Sequence, residues 1–325
     1  MIISQTPYRV SFSGGGTDLP AFYKHDYGAV LSVAVQKHMY VSLSKRFEPT
    51  VRVAYSKTEI AETREDVQHT IVKAALQMTD LGPHMEIVTI GDVPAGTGMG
   101  SSSTLTVGLL NALYAMKGQI VSSKRLAEEA CKIEIDILGS PIGKQDQYAA
   151  AFGGFNYIRF NPDDSVDVQP VPCLAATLEE IERRTLILYT EKKRDANNIL
   201  KKQSNGSQDR EKNRILREMR DLASEMRAVI SGRGNVDEFC RLMHIGWELK
   251  RSLGFGITDP TIDNMYDTAR KHGAQGGKLL GAGGGGFVYL LADPSKHDAI
   301  REALGRPREL GFKIDRLGSR IIFIS

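Results

Sequence analysis

The sequence feature that most constrains the fold is a glycine- and serine-rich stretch at residues 94–104, Pro-Ala-Gly-Thr-Gly-Met-Gly-Ser-Ser-Ser-Thr. Its alternating glycines allow backbone conformations that other residues avoid and leave room for a bulky group to approach. Leu105, Leu109 and Leu113 recur at helical spacing, so a buried helix is predicted to begin near Ser101. The serine hydroxyls are expected to cap its first N–H groups. Backbone N–H groups and the positive end of a helix together favour phosphate binding.

Other interpretations of glycine-rich segments fit this chain less well. A flexible linker is common for such composition, but residues 94–104 lie between an apolar strand-like run and an apolar helix. A Walker A loop, Gly-x-x-x-x-Gly-Lys-Ser/Thr, does not occur. Gly281, Gly283 and Gly286 match Gly-x-Gly-x-x-Gly, but a strand-like run follows them where a dinucleotide site needs a helix. A dinucleotide-dependent reductase is therefore a weak alternative.

Composition and charge exclude several classes of protein. The 325 residues are 41% apolar and 25% charged, which is typical of a globular protein and long enough for two domains. The formal net charge of +3 is too small to indicate a nucleic-acid partner. Cys131, Cys173 and Cys240 lack metal or disulfide spacing. No apolar run approaches the ~20 residues of a membrane span, so we expect a cytoplasmic protein.

Local patterns predict most of the secondary structure. Strands are expected at residues 29–35, 39–45, 51–55, 185–190, 287–291, 312–317 and 320–324, and residues 59–64 are interpreted as a connection. Helices are expected at residues 67–81, 207–230 and 260–272, with another that begins at Asn235. The apolar stripe of the helix at 207–230 indicates a core face, with an oligomer contact as the alternative.

Three segments, in order along the chain, resemble the motifs of the GHMP small-molecule kinases. The first is Pro7-x-Arg9, followed by Gly14-Gly15 and Asp18; the second is the stretch at residues 94–104; the third is the glycine run at residues 278–289. The resemblance spans nearly the whole chain. It implies an α+β, two-domain fold: an N-terminal ribosomal-protein-S5-like α/β domain at residues 1–175 and a C-terminal ferredoxin-like α+β domain at residues 176–325.

The resemblance also implies ATP and Mg²⁺ as cofactors. The expected ATP-binding residues are Pro94, Ala95, Gly96, Thr97, Gly98, Met99, Gly100, Ser101, Ser102 and Ser103. Ser102 and Glu134 would hold Mg²⁺, although Glu134 lies at the border of an apolar helical face, where a glutamate is usually solvated. Asp146 would accept the proton of the substrate hydroxyl or orient that hydroxyl. Arg9 would stabilise Asp146 and the charge that develops in transfer.

The form of the first motif, Gly-Gly-Gly-Thr-Asp, resembles that of bacterial heptose kinases within the family. This implies phosphorylation of the anomeric hydroxyl of D-glycero-D-manno-heptose 7-phosphate. The alternatives are a fucokinase- or galactokinase-like enzyme and a catalytically inactive sugar sensor, although the sensor is disfavoured because the glycine loop and the aspartate are intact. The expected partner is thus a small sugar or sugar phosphate. The expected substrate-binding residues are Gly15, Gly16, Thr17, Asp18, Lys144, Arg194, Gly284 and Gly285.

Overall fold

The computed structural model describes residues 1–192, 210–254 and 256–325. Arg194 lies outside the described residues. The strands are β1 (Ile2–Ser13), β2 (Gly28–Lys45), β3 (Val51–Ala54), β4 (Thr58–Ala61), β5 (Met85–Gly91), β6 (Phe155–Phe160), β7 (Val166–Pro170), β8 (Thr185–Tyr189), β9 (Ala274–Leu279), β10 (Phe287–Ala292) and β11 (Arg320–Ile324). The helices are α1 (Pro20–Tyr23), α2 (Thr70–Thr79), α3 (Ser101–Met116), α4 (Ser123–Cys131), α5 (Gln145–Phe152), α6 (Ala175–Arg184), α7 (Arg210–Ile230), α8 (Val236–Ser252), α9 (Pro260–Lys271) and α10 (His297–Ala303).

The first sheet has the strand order β11-β1-β2-β5-β3-β4, and β6 pairs with β2 and with β7. All of these pairs are antiparallel except β3 with β5. β2 is one continuous strand where the sequence predicted two, because its first half pairs with β6 and its second half with β5. The predicted connection at residues 59–64 is wrong in part, since β4 occupies its first half. Helices α2 to α5 bury their apolar faces against this sheet.

The second sheet is antiparallel, with the order β8-β10-β9. A bridge between Leu188 and Glu309 adds a short fourth segment beside β8. The resulting order, fourth-first-third-second, is that of a ferredoxin-like sheet with an incomplete edge strand. Helices α7, α8 and α9 supply the apolar side chains of its core, and Trp247 at the centre is fully buried. The mixed α/β, two-domain fold is therefore as expected.

The end of the chain returns to the first sheet. β11 pairs with β1, and the amino group of Met1 donates to the backbone carbonyl oxygen of Ser325 over 2.9 Å. The strand expected at residues 312–317 is wrong: only an isolated bridge between Ile314 and Val35 forms there. The domain boundary at residue 175 stays a prediction. Among the described residues, no helix combines the length and apolar character needed to cross a membrane.

Candidate active site

The glycine loop between β5 and α3 leaves the start of the helix open. Gly96, Gly98 and Gly100 adopt φ angles of 76°, 83° and 81°, a region that side chains with a Cβ atom disfavour. Gly100 is the N-cap residue of α3, and no side chain caps it, so the expectation of serine capping is wrong. The first N–H groups of α3 are thus left without a side-chain cap, as an anion site requires.

The loop forms one wall of a cavity of about 620 Å³ between the two sheets. Seven of the ten predicted ATP-binding residues line it: Ala95, Gly96, Gly98, Gly100, Ser101, Ser102 and Ser103. The other three do not. Thr97 donates its hydroxyl to the carbonyl oxygen of Pro94 over 2.7 Å, and the side chain of Met99 is packed in the core. Thr97 and Met99 therefore contribute to the shape of the loop and present no side chain to a ligand.

Arg9 and Asp146 form a bidentate ion pair beside this loop. The Arg9 Nε atom donates to Asp146 Oδ1 over 2.7 Å, and an Nη atom donates to Oδ2 over 2.8 Å. The other Nη atom donates to the carbonyl oxygen of Gly98 over 2.7 Å. A Cβ atom on Gly100 would lie 3.0 Å from Asp146 Oδ2, so the carboxylate is directly against the loop. The pair fixes a carboxylate at the wall where phosphates are expected.

Asp18 is buried in the turn that follows β1. Its Oδ1 atom accepts from the Gly16 N–H over 2.9 Å, and its Oδ2 atom accepts from the Gln145 side-chain amide over 3.0 Å. Burial, and then the nearby charge of Asp146, raise the pKa of Asp18. Gly15 and Gly16 line the cavity with it. Thr17 does not, because its hydroxyl donates to the carbonyl oxygen of Gly14 over 2.7 Å.

Glu134 lies in a π-helical turn, Lys132–Ile137, that continues α4. The side chain is only 2% exposed, so the interpretation of a border position on a regular α-helix is wrong; a π turn inserts one residue and shifts the helical face. The amide of Gln147 donates to Glu134 Oε2 over 2.8 Å. Burial raises the pKa of Glu134 to about 7, while the adjacent Ser102, Ser103 and Gln147 side chains act in the opposite direction.

The oxygen atoms of Ser102 and Glu134 suit a hard divalent cation. A cation would also compensate the desolvated carboxylate, whose pKa of about 7 reflects burial without a positive partner. The described residues hold no group of three or more acidic, histidine or cysteine side chains that could bind a metal unaided. Mg²⁺ commonly takes one or two protein ligands and completes its shell with phosphate oxygens and water. The residues present therefore fit Mg²⁺ bound together with a nucleotide.

Three other predicted substrate-binding residues lie away from the cavity wall. The Lys144 ammonium donates to the carboxylate of Asp164 over 3.1 Å and lies 4.9 Å from the centre of the Tyr23 ring. Gly284 donates its N–H to the carbonyl oxygen of Ile257, and Gly285 packs against the backbone of Lys192. Among the described residues of the third motif, Lys278, Gly281 and Ala282 line the cavity instead.

Sequence reasoning missed two buried lysines in the cavity wall. Lys250, near the end of α8, donates to the carbonyl oxygens of Gly281 over 2.5 Å and Leu279 over 3.3 Å. Lys278, in β9, donates to the carbonyl oxygen of Phe12 over 3.1 Å. Burial, and then nearby cations, lower the pKa of Lys250 to about 7 and that of Lys278 well below its usual value. The position of Lys278 at the start of the third motif could have indicated its role. No sequence pattern indicates that Lys250 lies in the cavity wall.

Comparison with known proteins gives two family matches. Residues 69–154 match the profile described as GHMP kinases N terminal domain, and residues 219–308 match the profile described as GHMP kinases C terminal. Together they cover the glycine loop, Glu134, Asp146, both buried lysines and the third motif. Arg9 and Asp18 lie before the first matched segment.

Individual relatives extend the similarity along the chain. A D-glycero-alpha-D-manno-heptose 7-phosphate kinase of Campylobacter jejuni is 28% identical over 96% of both chains. A bifunctional fucokinase/GDP-fucose pyrophosphorylase of Arabidopsis thaliana is 26% identical over 95% of this chain and 32% of its own length. A crystal structure described as a D-glycero-D-manno-heptose 1-phosphate kinase from Bacteroides thetaiotaomicron is 24% identical, has a TM-score of 0.83 and is covered completely in both directions.

Proposed function

The chain belongs to the GHMP kinase family, and from this premise we propose that it transfers the γ-phosphoryl group of ATP to the anomeric hydroxyl of a heptose 7-phosphate. The sugar kinase assignment is supported by relatives that phosphorylate sugars. The heptose assignment is supported by the similarity to the Campylobacter enzyme over 96% of the chain. The Bacteroides structure is described as a heptose 1-phosphate kinase, and at 24% identity it supports the fold alone.

One observation carries the proposal: the open start of α3, the Arg9–Asp146 pair and Asp18 face a single cavity. In this arrangement the N–H groups of the glycine loop would hold the ATP phosphates. Mg²⁺, held by Ser102 and Glu134, would neutralise phosphate charge. Phosphoryl transfer requires mainly positioning and charge stabilisation, which this constellation supplies.

Asp146 would accept the proton of the sugar hydroxyl while the hydroxyl oxygen bonds to the γ-phosphorus and the bond from that phosphorus to the β-phosphate breaks, so that ADP leaves. The two hydrogen bonds from Arg9 fix the orientation of the carboxylate and leave it against the glycine loop. Arg9 also bonds to the carbonyl oxygen of Gly98, so one side chain aligns the loop with the acceptor. Such alignment lowers the barrier because the reactants need not find it by diffusion.

Asp18 would select the sugar. Its carboxylate is buried at the cavity wall and already accepts hydrogen bonds from Gly16 and Gln145. Vicinal hydroxyls of a pyranose would donate further hydrogen bonds to this desolvated carboxylate. A ligand without those hydroxyls would leave acceptor sites of the carboxylate unsatisfied. An acidic side chain in this position therefore favours a polyhydroxylated substrate.

The test is a competition among heptose 7-phosphate, unphosphorylated heptose, fucose, galactose and mevalonate, with ADP formation as the readout. We expect the highest kcat/KM for heptose 7-phosphate, and phosphorus NMR of its product should show a new anomeric phosphate. Preference for fucose would favour the second candidate function, that of a fucokinase. The similarity to the Arabidopsis protein supports this candidate. Preference for mevalonate, or no turnover of any sugar, would refute the sugar kinase proposal.

The Mg²⁺ assignment has its own test. The Glu134→Gln variant keeps the shape of the side chain and removes its charge, so it should need a higher Mg²⁺ concentration for half-maximal rate. An unchanged Mg²⁺ dependence would remove Glu134 from the proposed ligand set.

A further inference from the structure

Lys250 and Lys278 are buried ionisable side chains at the wall of the cavity. They are 6% and 5% exposed, and they come from different elements, α8 and β9. In the described part of the chain both ammonium groups donate only to backbone carbonyl oxygens. Carbonyl oxygens carry partial charges, so they compensate a desolvated ammonium less than a carboxylate would.

The hydrogen-bonding capacity of these lysines is only partly used. An ammonium group has three N–H donors. Lys250 uses two of them and Lys278 one. Ser11, beside the carbonyl group of Phe12 that Lys278 contacts, also lines the cavity, and its buried hydroxyl has no hydrogen-bond partner among the described residues. Unused donors from three elements therefore surround one cavity.

The other charged side chains of the cavity have partners of their own, so these two lysines are available to an anionic ligand. Arg9 is paired with Asp146, so its charge is compensated within the protein. Asp18 is the other carboxylate on the substrate side, and it bonds to Gly16 and Gln145. A phosphate monoester carries about −1.5 to −2 charges near pH 7 and has three strong acceptor oxygens. Its negative charge favours the protonated form of both lysines, and it then matches two ammonium groups in charge and in hydrogen bonding.

We propose that Lys250, Lys278 and Ser11 form the receptor for the phosphate group that the sugar substrate already carries. This inference rests on the proposed function and replaces Lys144, whose ammonium bonds to Asp164. The transferring phosphate of ATP is a less suitable occupant, because the proposed function already assigns it the glycine loop and the Mg²⁺ that Ser102 and Glu134 would hold. Lys278 instead contacts Phe12 near the end of β1, which leads into the turn that holds Asp18.

The experiment compares heptose 7-phosphate with unphosphorylated heptose in the Lys250→Gln and Lys278→Gln variants. Glutamine retains an N–H donor for the carbonyl oxygens and removes the charge. Since a hydrogen bond between charged groups is worth roughly 1.5–3 kcal/mol, kcat/KM for the phosphorylated sugar should fall about 10- to 100-fold. The value for the unphosphorylated sugar should change less than about threefold. Lys313→Gln, a change of an exposed lysine bonded to Glu182, is the matched control.

The Ser11→Ala variant gives an independent measurement if the lysine variants do not fold. It removes a buried hydroxyl that has no partner, so stability should hold, while KM for the phosphorylated sugar alone should rise about threefold or more. An equal loss with both sugars in every variant would overturn the inference. The inference would also be overturned if Lys144→Gln lost the preference for the phosphorylated sugar while Lys278→Gln retained it. Preference of the unaltered enzyme for an unphosphorylated sugar would instead refute the heptose 7-phosphate proposal itself.

Discussion

Two glycine-rich loops meet at the cavity, and they use their glycines differently. The first, residues 94–104, lines the cavity at its start and at Gly100, where a Cβ atom would lie 3.0 Å from Asp146 Oδ2. The second, residues 280–286, touches the first where a Cβ atom on Gly281 would lie 2.4 Å from the Gly98 Cα atom. Gly283, Gly285 and Gly286 also face protein backbone: a Cβ atom on Gly286 would lie 2.3 Å from the Thr97 carbonyl oxygen.

Similar composition therefore serves close packing throughout the second loop, whereas the first loop combines a packed Gly98, where a Cβ atom would lie 2.5 Å from the Leu280 carbonyl oxygen, with a Gly100 that faces the cavity. In the first loop, glycine leaves N–H groups accessible to a ligand. In the second, glycine allows two segments of the backbone to approach more closely than a side chain permits. Substitutions should then reduce activity more than stability at Gly100 of the first loop, and stability more than activity at the second loop.

The largest effect should come from the carboxylate that the first loop faces. Asp146→Asn keeps the shape and one acceptor for Arg9 but removes the charge and the basic oxygen. We expect kcat to fall ~10²–10⁴-fold, as for the loss of a general base, with KM for ATP nearly unchanged. Steady-state kinetics and a thermal melt measure the two effects. An unfolded variant, or an unchanged kcat, would return Asp146 to a structural role.

The second loop should show the largest loss of stability. Gly286 has a φ of 102°, and an added methyl group would overlap the Thr97 carbonyl, so Gly286→Ala should lower the free energy of unfolding by about 2–4 kcal/mol. Gly311→Ala is the matched control, because no atom lies within 4 Å of its Cβ position. Urea denaturation of both variants gives the difference. Equal stability of the two would contradict the packing role.

At the first loop the same type of substitution should act mainly on turnover. A methyl group on Gly100 would lie 3.0 Å from Asp146 Oδ2, so the carboxylate must move by a few tenths of an ångström. Misalignment of reacting groups should lower kcat about 10- to 100-fold, while the positive φ costs about 1 kcal/mol of stability. If Gly100→Ala lost as much stability as Gly286→Ala and kept its kcat, the distinction between the loops would fail.

The sequence predicted features that depend on neighbouring residues and on motif order. The helix after the first loop begins at Ser101 as expected, because the leucine spacing and the glycines are local signals. The strand at residues 185–190 and the helix that Asn235 caps are also confirmed. The roles of Arg9 and Asp146 stay predictions, although the two side chains form an ion pair.

The features of the site that the sequence did not predict depend on burial, which a local sequence pattern does not specify. A π turn, which contains one residue more than an α-helical turn, places Glu134 inside the protein. The sequence of Lys132–Ile137 contains no pattern that predicts this turn. Thr17, Thr97 and Met99 belong to motifs, yet their side chains serve the shape of the turns. Lys250 reaches the cavity only because α8 packs along β9, a long-range contact between segments with no shared motif.

The glycine turn at residues 14–18 combines close backbone packing with a group that faces the cavity. It gives the smallest predicted effect, a change in the pH dependence of stability. A Cβ atom on Gly14 would lie 1.9 Å from the Ala29 carbonyl oxygen, whereas Asp18 faces the cavity. Because burial raises the pKa of Asp18, the folded protein holds this proton more tightly than the unfolded chain does. The free energy of unfolding should therefore fall as pH rises from the unfolded pKa of the carboxyl to its higher folded pKa.

One proton changes this free energy by at most about 1.4 kcal/mol per pH unit. The Asp18→Asn variant cannot release that proton, so its free energy of unfolding should decline less with pH than that of the unaltered protein. The difference between the two, measured by urea denaturation from pH 4 upward, isolates Asp18 from the other carboxylates. Identical slopes would mean that Asp18 is not destabilised as an anion in the empty cavity, and the proposed sugar hydroxyls would then have no buried charge to compensate.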